Sequence, residues 1–401
     1  MKILLVTQYY WPENFKINLV AKGISENHDL TVLTGLPNYP EGEIYEGYKN
    51  KKVWISEQDG IKVIRCRLIS RGKANAFRLA VNYFSFAFFA SIRLFQIKDD
   101  FDYIFVYQTS PVTVGIPAVI AKKRFRAKML FWVQDLWPES LKGTGAINNK
   151  IILGLFDLLT RFIYKRSDKI LVQSEAFKPY IMNQKIESSK LEFFPNIDEP
   201  ITEVSSGYTK QFDYAFDNQT INLLFAGNLG AAQGLEDVIE ALKVVNEEKI
   251  LCRVIILGDG RNKKNLLELS RKLNTQDYVY FLGKHSSDHM QEFFDRADAL
   301  LISLRPHFLF DLTIPNKFQS YLNAGKPILG YIGGEVKRLI EETGCGLCAS
   351  SHNANDFAST INKFINLSNG EKSNMGRKGK KYYDQNFTLD KLLERFEQLI
   401  R

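Results

Sequence analysis

Two doubly wound α/β domains in one chain are predicted, on three observations. The chain has 401 residues, more than one core of roughly 100–200 residues needs and about right for two. In both halves short apolar runs of strand length alternate with longer amphipathic stretches, the rhythm of parallel strands joined by crossover helices. Between the halves, "FFPNIDEPITEVSSGYTKQFDYAFDNQT" has prolines, acidic and hydroxyl residues and no sustained periodicity, which reads as a linker hinged near 196–219.

In chain order, strands are predicted at "KILLVTQ" (2–8), "DLTVLTG" (29–35), "IKVIRCR" (61–67), "YIFVYQT" (103–109), "AKMLFWVQD" (127–135) and "KILVQS" (169–174). The second half repeats the pattern at "NLLFAG" (222–227), "RVIILGDG" (253–260), "VYFLG" (279–283), "ALLISL" (299–304) and "PILGYI" (327–332). The domains are set at 1–200 and 201–385, with a terminal amphipathic helix at 386–401. Two such domains facing each other across a cleft bring together the C-terminal strand edges, where doubly wound sheets bind ligands.

With 45% apolar and 24% charged residues, the composition is that of an ordered globular protein rather than a disordered one. The N-terminus "MKILLVTQYYWPE" starts like a signal peptide but continues with Gln, Trp-Pro and Glu, so it reads as a first buried strand. Cys345 and Cys348 form one CxxC without a second pair, which fits reduced structural thiols in a cytoplasmic setting. The net charge of +8 suits an anionic partner: nucleic acid, a lipid surface or a phosphorylated small molecule.

The strongest local signal is "LLFAGNLGAAQGLEDVIEAL", residues 223–242, where Gly227, Gly230 and Gly234 join a strand to a helix starting near Leu235. Such a turn presents backbone N–H groups and a helix N-terminus to an anion. Asn228 and Gln233 donate hydrogen bonds there but carry no charge. The cation is expected from "IPNKFQSYL", where Pro315-Asn316 opens a helix with Lys317 in its first turn, an unfavourable place for a cation unless an anion sits there. Arg305, and Arg261 just after "LGDG", are further candidates.

The series "FAGNLGAAQGLEDVIEAL", "VIILGDGR", "VYFLGKHSSDHMQEFFDRADALLISL" and "IPNKFQSYLNAGKPILGYIGGEVKRLIEETGCGL" resembles the C-terminal domain of family 4 glycosyltransferases of GT-B fold. The N-terminal "TQYYWPENFKINLVAKGISENHDLTVLTGLPNYPEG" and "FWVQDLWPESL" look like the subgroup of bacterial O-antigen, capsule and colanic-acid fucosyl- and N-acetyl-L-fucosaminyl-transferases. The resemblance implies a nucleotide-diphosphate sugar gripped by the glycine loop: Gly227, Asn228, Leu229, Gln233, Gly234 and Gly258, with Arg261. Asn228 stands where the family has arginine and Gln233 where it has lysine, so Lys317 is expected to compensate, with Asn316 beside it, as the "PSK" type of sequence in this subgroup suggests. The family's two glutamates, eight residues apart, fall here on Leu312 and Ser320, leaving Ser320 and Asp311 as partial substitutes. Phe281, Leu282, Gly283 and Lys284 match the segment that receives the nucleobase.

On the N-terminal side, Asp135 in "FWVQDLWPES" is the candidate to orient or deprotonate the acceptor hydroxyl, a task that needs a carboxylate near the reacting atoms. Glu13, Asn14, Tyr39 and Gln134 are the acceptor-binding candidates. The resemblance implies retention of anomeric configuration without a metal or other cofactor. The DxD of Asp100 and Asp102 reads as a charged turn before a buried strand, and the histidines have no metal-ligand spacing. In GT-B enzymes the last helix crosses back to the first domain.

Residues 65–98 hold Phe77, Tyr83, Phe84, Phe86, Phe88 and Phe89, bracketed by Arg78 and Arg93. Polar interruptions leave the block short of a spanning helix of about 20 apolar residues. Burial in the first domain and a helix lying in the membrane interface both account for it. "AKKRFRAK" (121–128) adds a basic cluster. A nucleic-acid partner is not favoured, because the cations gather beside apolar residues rather than along a groove. These readings combine into a peripheral enzyme on the inner face of the cytoplasmic membrane, moving a sugar from a UDP-sugar to a polyprenyl-diphosphate-linked saccharide for surface polysaccharide. A UDP-sugar epimerase and a non-catalytic saccharide- or nucleotide-binding module are the alternatives; a nicotinamide oxidoreductase lacks its GxGxxG after the first strand.

Overall fold

The structure, a computed structural model, describes residues 1–49, 55–72, 76–143, 149–198, 207–249, 251–349 and 353–401. Among these residues the chain divides into two compact units: Met1–Asn196 with Leu392–Arg401, and Ile197–Lys391. The expected boundary at 200/201 lies outside the described residues.

Unit 1 is built on strands β1 (Lys2–Val6), β2 (Asp29–Gly35), β3 (Ile55–Gln58), β4 (Ile61–Cys66), β5 (Tyr103–Gln108), β6 (Lys128–Val133), β7 (Lys169–Val172) and β8 (Leu191–Phe193). They lie in the order β3-β4-β2-β1-β5-β6-β7-β8. All pairs are parallel except β3 with β4. The central strands read as continuous apolar runs because helices cover both faces: Ile3–Val6 and all of β5 are buried. Strand β3 was not expected from the sequence. It is an exposed edge strand without alternation, closed onto β4 through Asp59 and Gly60, both at positive φ, which is the turn chemistry of a tight hairpin. Strand β8 has three residues, too few to show periodicity.

Unit 2 contains β9 (Ile221–Ala226), β10 (Cys252–Leu257), β11 (Val279–Gly283), β12 (Ala299–Ser303), β13 (Ile328–Tyr331) and β14 (Gly346–Cys348). Their order is β11-β10-β9-β12-β13-β14, all parallel. The three-residue β14, inside the CxxC segment, was likewise not anticipated; all four cysteines are free thiols. The helix predicted from about Leu235 spans Leu235–Val245 and buries Leu235, Val238, Ile239 and Leu242 in the unit 2 core.

Among the parallel strands of each sheet the order reverses once, beside β1 in unit 1 and beside β9 in unit 2. Loops diverge at such a switch point and open a crevice at the C-terminal strand ends. The last helix, Leu389–Ile400, ends in residues that belong to unit 1. There Phe396 packs 5.1 Å from Phe105 in an aromatic column with Trp132 and Phe194, and Glu397 meets His28 at 2.6 Å. Asp102 ties down the start of β1 by accepting from the Lys2 N–H at 2.8 Å, the structural role expected of the DxD turn.

Candidate active site

The unit 2 switch point is made of three glycine-bearing strand ends pressed together. Gly227 follows β9 at φ +151° and Gly258 follows β10 at φ +132°. A Cβ on Gly258 would stand 1.8 Å from the Gly227 carbonyl oxygen, and one on Gly260 would stand 2.4 Å from that of Leu229. Only bare backbone fits here. The loops are stitched by Gly227 N–H to Leu257 O (2.9 Å), Leu229 N–H to Asp259 O (2.8 Å) and Gly258 N–H to Gly283 O (2.7 Å). The Tyr321 hydroxyl accepts from the Ala226 N–H at 2.9 Å and holds the end of β9.

Lys317 enters this framework from the helix Asn316–Asn323. A Cβ on Gly227 would lie 2.8 Å from its Nζ, so the glycine is what lets the ammonium approach. The Lys317 side chain is half-buried overall, yet its Nζ sits 3.6 Å from the centroid of the Phe225 ring and donates to Gln233 Oε1 at 3.2 Å. Burial pushes its pKa down to about 7. Among the described residues no carboxylate forms an ion pair with it. A desolvated cation facing neutral partners is set up for an arriving anion.

A cavity of about 580 Å³ opens over Lys317, lined also by Gly227, Asn228, Gly258, Lys284 and Ser320 among the expected residues. Ala226, at the end of β9, joins them, and the rest of the wall was not anticipated: Leu257, Asp259, His285, Ser287, Met290, Phe294 and Tyr321. His285 is oriented by Tyr208 Oη at 3.0 Å and the Leu282 carbonyl at 3.1 Å. The signal for His285, Ser287, Met290 and Phe294 was the amphipathic run "KHSSDHMQEFF", which periodicity marks as a helix face but not as a cavity wall.

Several expectations need correction. Gly227, Leu229, Gln233 and Gly234 do not offer free N–H groups, since Gly227 and Leu229 donate to the carbonyls of Leu257 and Asp259, and Gln233 and Gly234 to those of Gly230 and Ala231. The side chain of Leu229 is fully buried in the unit 2 core, so no donor contact falls to it. The N-terminus of the helix after Gly234 is not an open anion site, because Glu236 and Asp237 occupy its first turn. Burial works against the Glu236 carboxylate, but Asn262, its own N–H and Arg305 hold its pKa below the usual range. Arg305 is spent on that ion pair at 3.2 Å. Arg261 lines a separate hollow of about 300 Å³ with Asn228, Gly230, Ala231 and Asn262. Phe281 packs against the core, and Leu282 and Gly283 are half-buried and not among the residues lining the cavity. Asn316 is exposed and Asp311 half-buried, and neither is among the residues lining the cavity. Ser320 donates to Asp198 Oδ1 at 3.1 Å.

In unit 1 the strands β1, β5, β6 and β7 all run out into glutamine: Gln8, Gln108, Gln134 and Gln173. Gln108 donates to the Asp135 carbonyl at 3.2 Å and Gln173 to that of Gln134 at 2.7 Å. Asp135 therefore stands on a rigid strand end, and burial lifts its carboxyl to about 7. A carboxyl poised near neutrality suits general base work. Gln134 is buried with its Nε2 unsatisfied. Glu13 has a structural job that the sequence did not disclose: Oε1 accepts from the N–H groups of Asn38 and Tyr39, both at 2.8 Å, and Oε2 from that of Tyr10 at 3.3 Å. It thereby ties together the loops after β1 and β2, while burial raises its pKa to about 7. Asn14 is exposed. Tyr39 is exposed on one side and packs on Tyr9 and Phe15, with Arg71 5.0 Å from its ring centroid.

Of the residues expected in an interfacial helix, Phe86 is fully buried and Tyr83 packs on Trp137, so both belong to the fold. Phe89 and Arg93 are half-buried, whereas Phe77, Arg78, Phe84 and Phe88 are exposed. Among the described residues no helix is long and apolar enough to cross a membrane, and no group of three or more His, Cys, Asp or Glu is placed to hold a metal ion.

Comparison with known proteins bears on both units. Residues 17–197 match the family "Glycosyl transferase 4-like domain" and residues 209–382 match "Glycosyl transferases group 1". The chain is 24% identical over 354 residues to the "Probable glycosyltransferase WbjE" of Pseudomonas aeruginosa, covering 84% of this chain and 81% of that protein. It is 24% identical over 345 residues to the "Putative colanic acid biosynthesis glycosyl transferase WcaI" of Escherichia coli K12, covering 81% and 82%. The crystal structure of Anabaena Alr3699/HepE in complex with UDP superposes with a TM-score of 0.71 at 13% identity, over 100% of this chain and 99% of that one. The chain is therefore a glycosyltransferase of GT-B fold, joining a glycosyl transferase 4-like domain to a group 1 domain.

Proposed function

We propose that this glycosyltransferase moves a sugar from a UDP-sugar to a polyprenyl-diphosphate-linked saccharide at the cytoplasmic face of the membrane, for O-antigen or capsule assembly. Transfer is with retention and without a metal, and N-acetyl-L-fucosamine is the first sugar to try. The observation that carries the reading is Lys317, an ammonium without a carboxylate partner among the described residues, held over the paired glycines Gly227 and Gly258 in a cavity large enough for a nucleotide. The UDP bound by HepE and the polysaccharide role in the name of WcaI support the choice of substrates.

In the proposed reaction the bond between the sugar C1 and the diphosphate oxygen breaks, and its electron pair leaves with UDP. The Lys317 ammonium stabilises the charge that grows there. The acceptor oxygen bonds to C1, and its proton passes to Asp135, whose raised pKa lets it take the proton near neutrality. Purified protein incubated with a panel of UDP- and GDP-sugars and a short polyprenyl-diphosphate saccharide, followed by mass spectrometry, tests the reading. Turnover of none of them, with no nucleotide binding by calorimetry, overturns it.

A further inference from the structure

A second helix in unit 1 exposes an apolar stripe that the sequence did not bring to notice. Lys150–Arg166 buries Thr160, Ile163 and Tyr164 on one face. On the opposite face Ile151, Leu155, Leu158 and Phe162, at spacings of four, three and four, are 40 to 75% exposed. Its neighbour Ala76–Leu94 does the same: Phe86, Ala87 and Ala90 face inward, while Phe77, Phe84, Phe88 and Ile92 face solvent. The helices touch through Phe84 and Phe156, ring centroids 6.1 Å apart, so the stripes are adjacent. Side-by-side apolar helix faces of this extent exceed the scattered hydrophobics of an ordinary surface.

Charge indicates what covers them. Unit 1 contains 30 Lys and Arg against 20 Asp and Glu, while unit 2 contains 23 against 25, so the chain's whole positive excess belongs to the unit that carries the stripes. Exposed cations close the helix ends, with Arg78 on one and Lys150, Lys165 and Arg166 on the other. Asp157, the acidic residue of Lys150–Arg166, is neutralised by Arg161 at 2.7 Å. We infer that the helices Ala76–Leu94 and Lys150–Arg166 together form a docking surface for an anionic phospholipid bilayer, apolar side chains entering the headgroup boundary and cations meeting lipid phosphates. The inference rests on the proposed function in one respect, that a lipid-carried acceptor is met at a bilayer surface.

The full chain is floated with phosphatidylcholine vesicles, with and without roughly one third phosphatidylglycerol. The double variants Leu155→Glu/Leu158→Glu and Phe84→Glu/Phe88→Glu change exposed positions only, and circular dichroism with UDP titration confirms that each remains folded. Expected is binding to the anionic vesicles that weakens with salt, and a loss of about tenfold or more in partitioning for each pair. Failure of the wild type to bind anionic vesicles overturns the inference, as does binding that the Leu155/Leu158 pair leaves unchanged. Size-exclusion chromatography showing a dimer that the same pairs dissociate overturns it too, assigning the surface to a second copy. UDP binding is read separately, so loss of vesicle binding with UDP binding intact removes this inference alone, and the reverse pattern removes the proposed function alone.

Discussion

Replacing Lys317 with Met keeps a flexible chain over the Phe225 ring and removes only the ammonium. Truncating one partner of a close, desolvated charge pair costs about 2–5 kcal/mol. Part of that is offset in the wild type, because a lysine brought to about 7 by burial is half neutral at pH 7 and must take up a proton to meet the diphosphate. That uptake costs roughly 0.4 kcal/mol at pH 7 and about 2.7 kcal/mol at pH 9. The variant is therefore expected to lose about 2–4 kcal/mol of UDP affinity at pH 7, a factor of roughly thirty to a thousand in Kd, and much less at pH 9. Wild-type affinity should fall up to about fiftyfold between those pH values while that of the variant stays flat. Titration calorimetry with UDP, GDP and uridine at both pH values reads all of this, uridine serving as a control that lacks phosphate. A variant that binds UDP within about threefold of wild type at pH 7, or wild-type affinity that does not change with pH, would refute the placing of the diphosphate at this ammonium.

Three further perturbations have expected outcomes. Asp135→Asn should cut turnover by about 10²–10⁴ with UDP affinity unchanged, and the wild-type rate at saturating donor, which holds Lys317 protonated, should rise with pH through about 7 as the carboxyl ionises. Because the folded protein holds that proton where the unfolded chain has lost it, wild-type stability falls as pH rises from about 4 to about 7. The same variant should then be more stable at pH 8 by roughly 1–3 kcal/mol, after discounting for partial exposure, seen as a higher Tm. Gly258→Ala should cost about 3 kcal/mol or more in denaturant titrations, since its Cβ meets the Gly227 carbonyl, whereas Gly47→Ala, with open space around it, should stay within about 0.5 kcal/mol. Glu13→Ala leaves the N–H groups of Tyr10, Asn38 and Tyr39 without their acceptor and should lower stability by roughly 3 kcal/mol without touching UDP affinity.

Local rules reached as far as local causes extend. Lys317 was legible because a cation in a helix first turn contradicts the dipole unless something answers it. The helix beginning at Leu235 was legible from its apolar period and the preceding glycine. Arg305 misled because its partner, Glu236, lies 69 residues earlier and no spacing rule links them. Leu229 misled because a motif position says where the backbone passes, while the direction of the side chain is decided by the packing of the Leu235–Val245 helix against the sheet. Glu13 was rightly noticed, but its three backbone donors come from two loops that meet only in the fold. The stripe on Lys150–Arg166 was overlooked because an amphipathic pattern shows that a helix has two faces and not which one the protein covers.

The end of the chain also constrains how it is made. Phe396 completes the aromatic column of unit 1 together with Phe105, Trp132 and Phe194, although all of unit 2, Ile197–Lys391, is synthesised in between. During translation the nascent first domain must wait on the ribosome with that column open while the second folds and closes. A message that stops near codon 391 would thus yield a finished second domain and an unfinished first, a target for chaperones and proteases despite an uninterrupted N-terminal sequence.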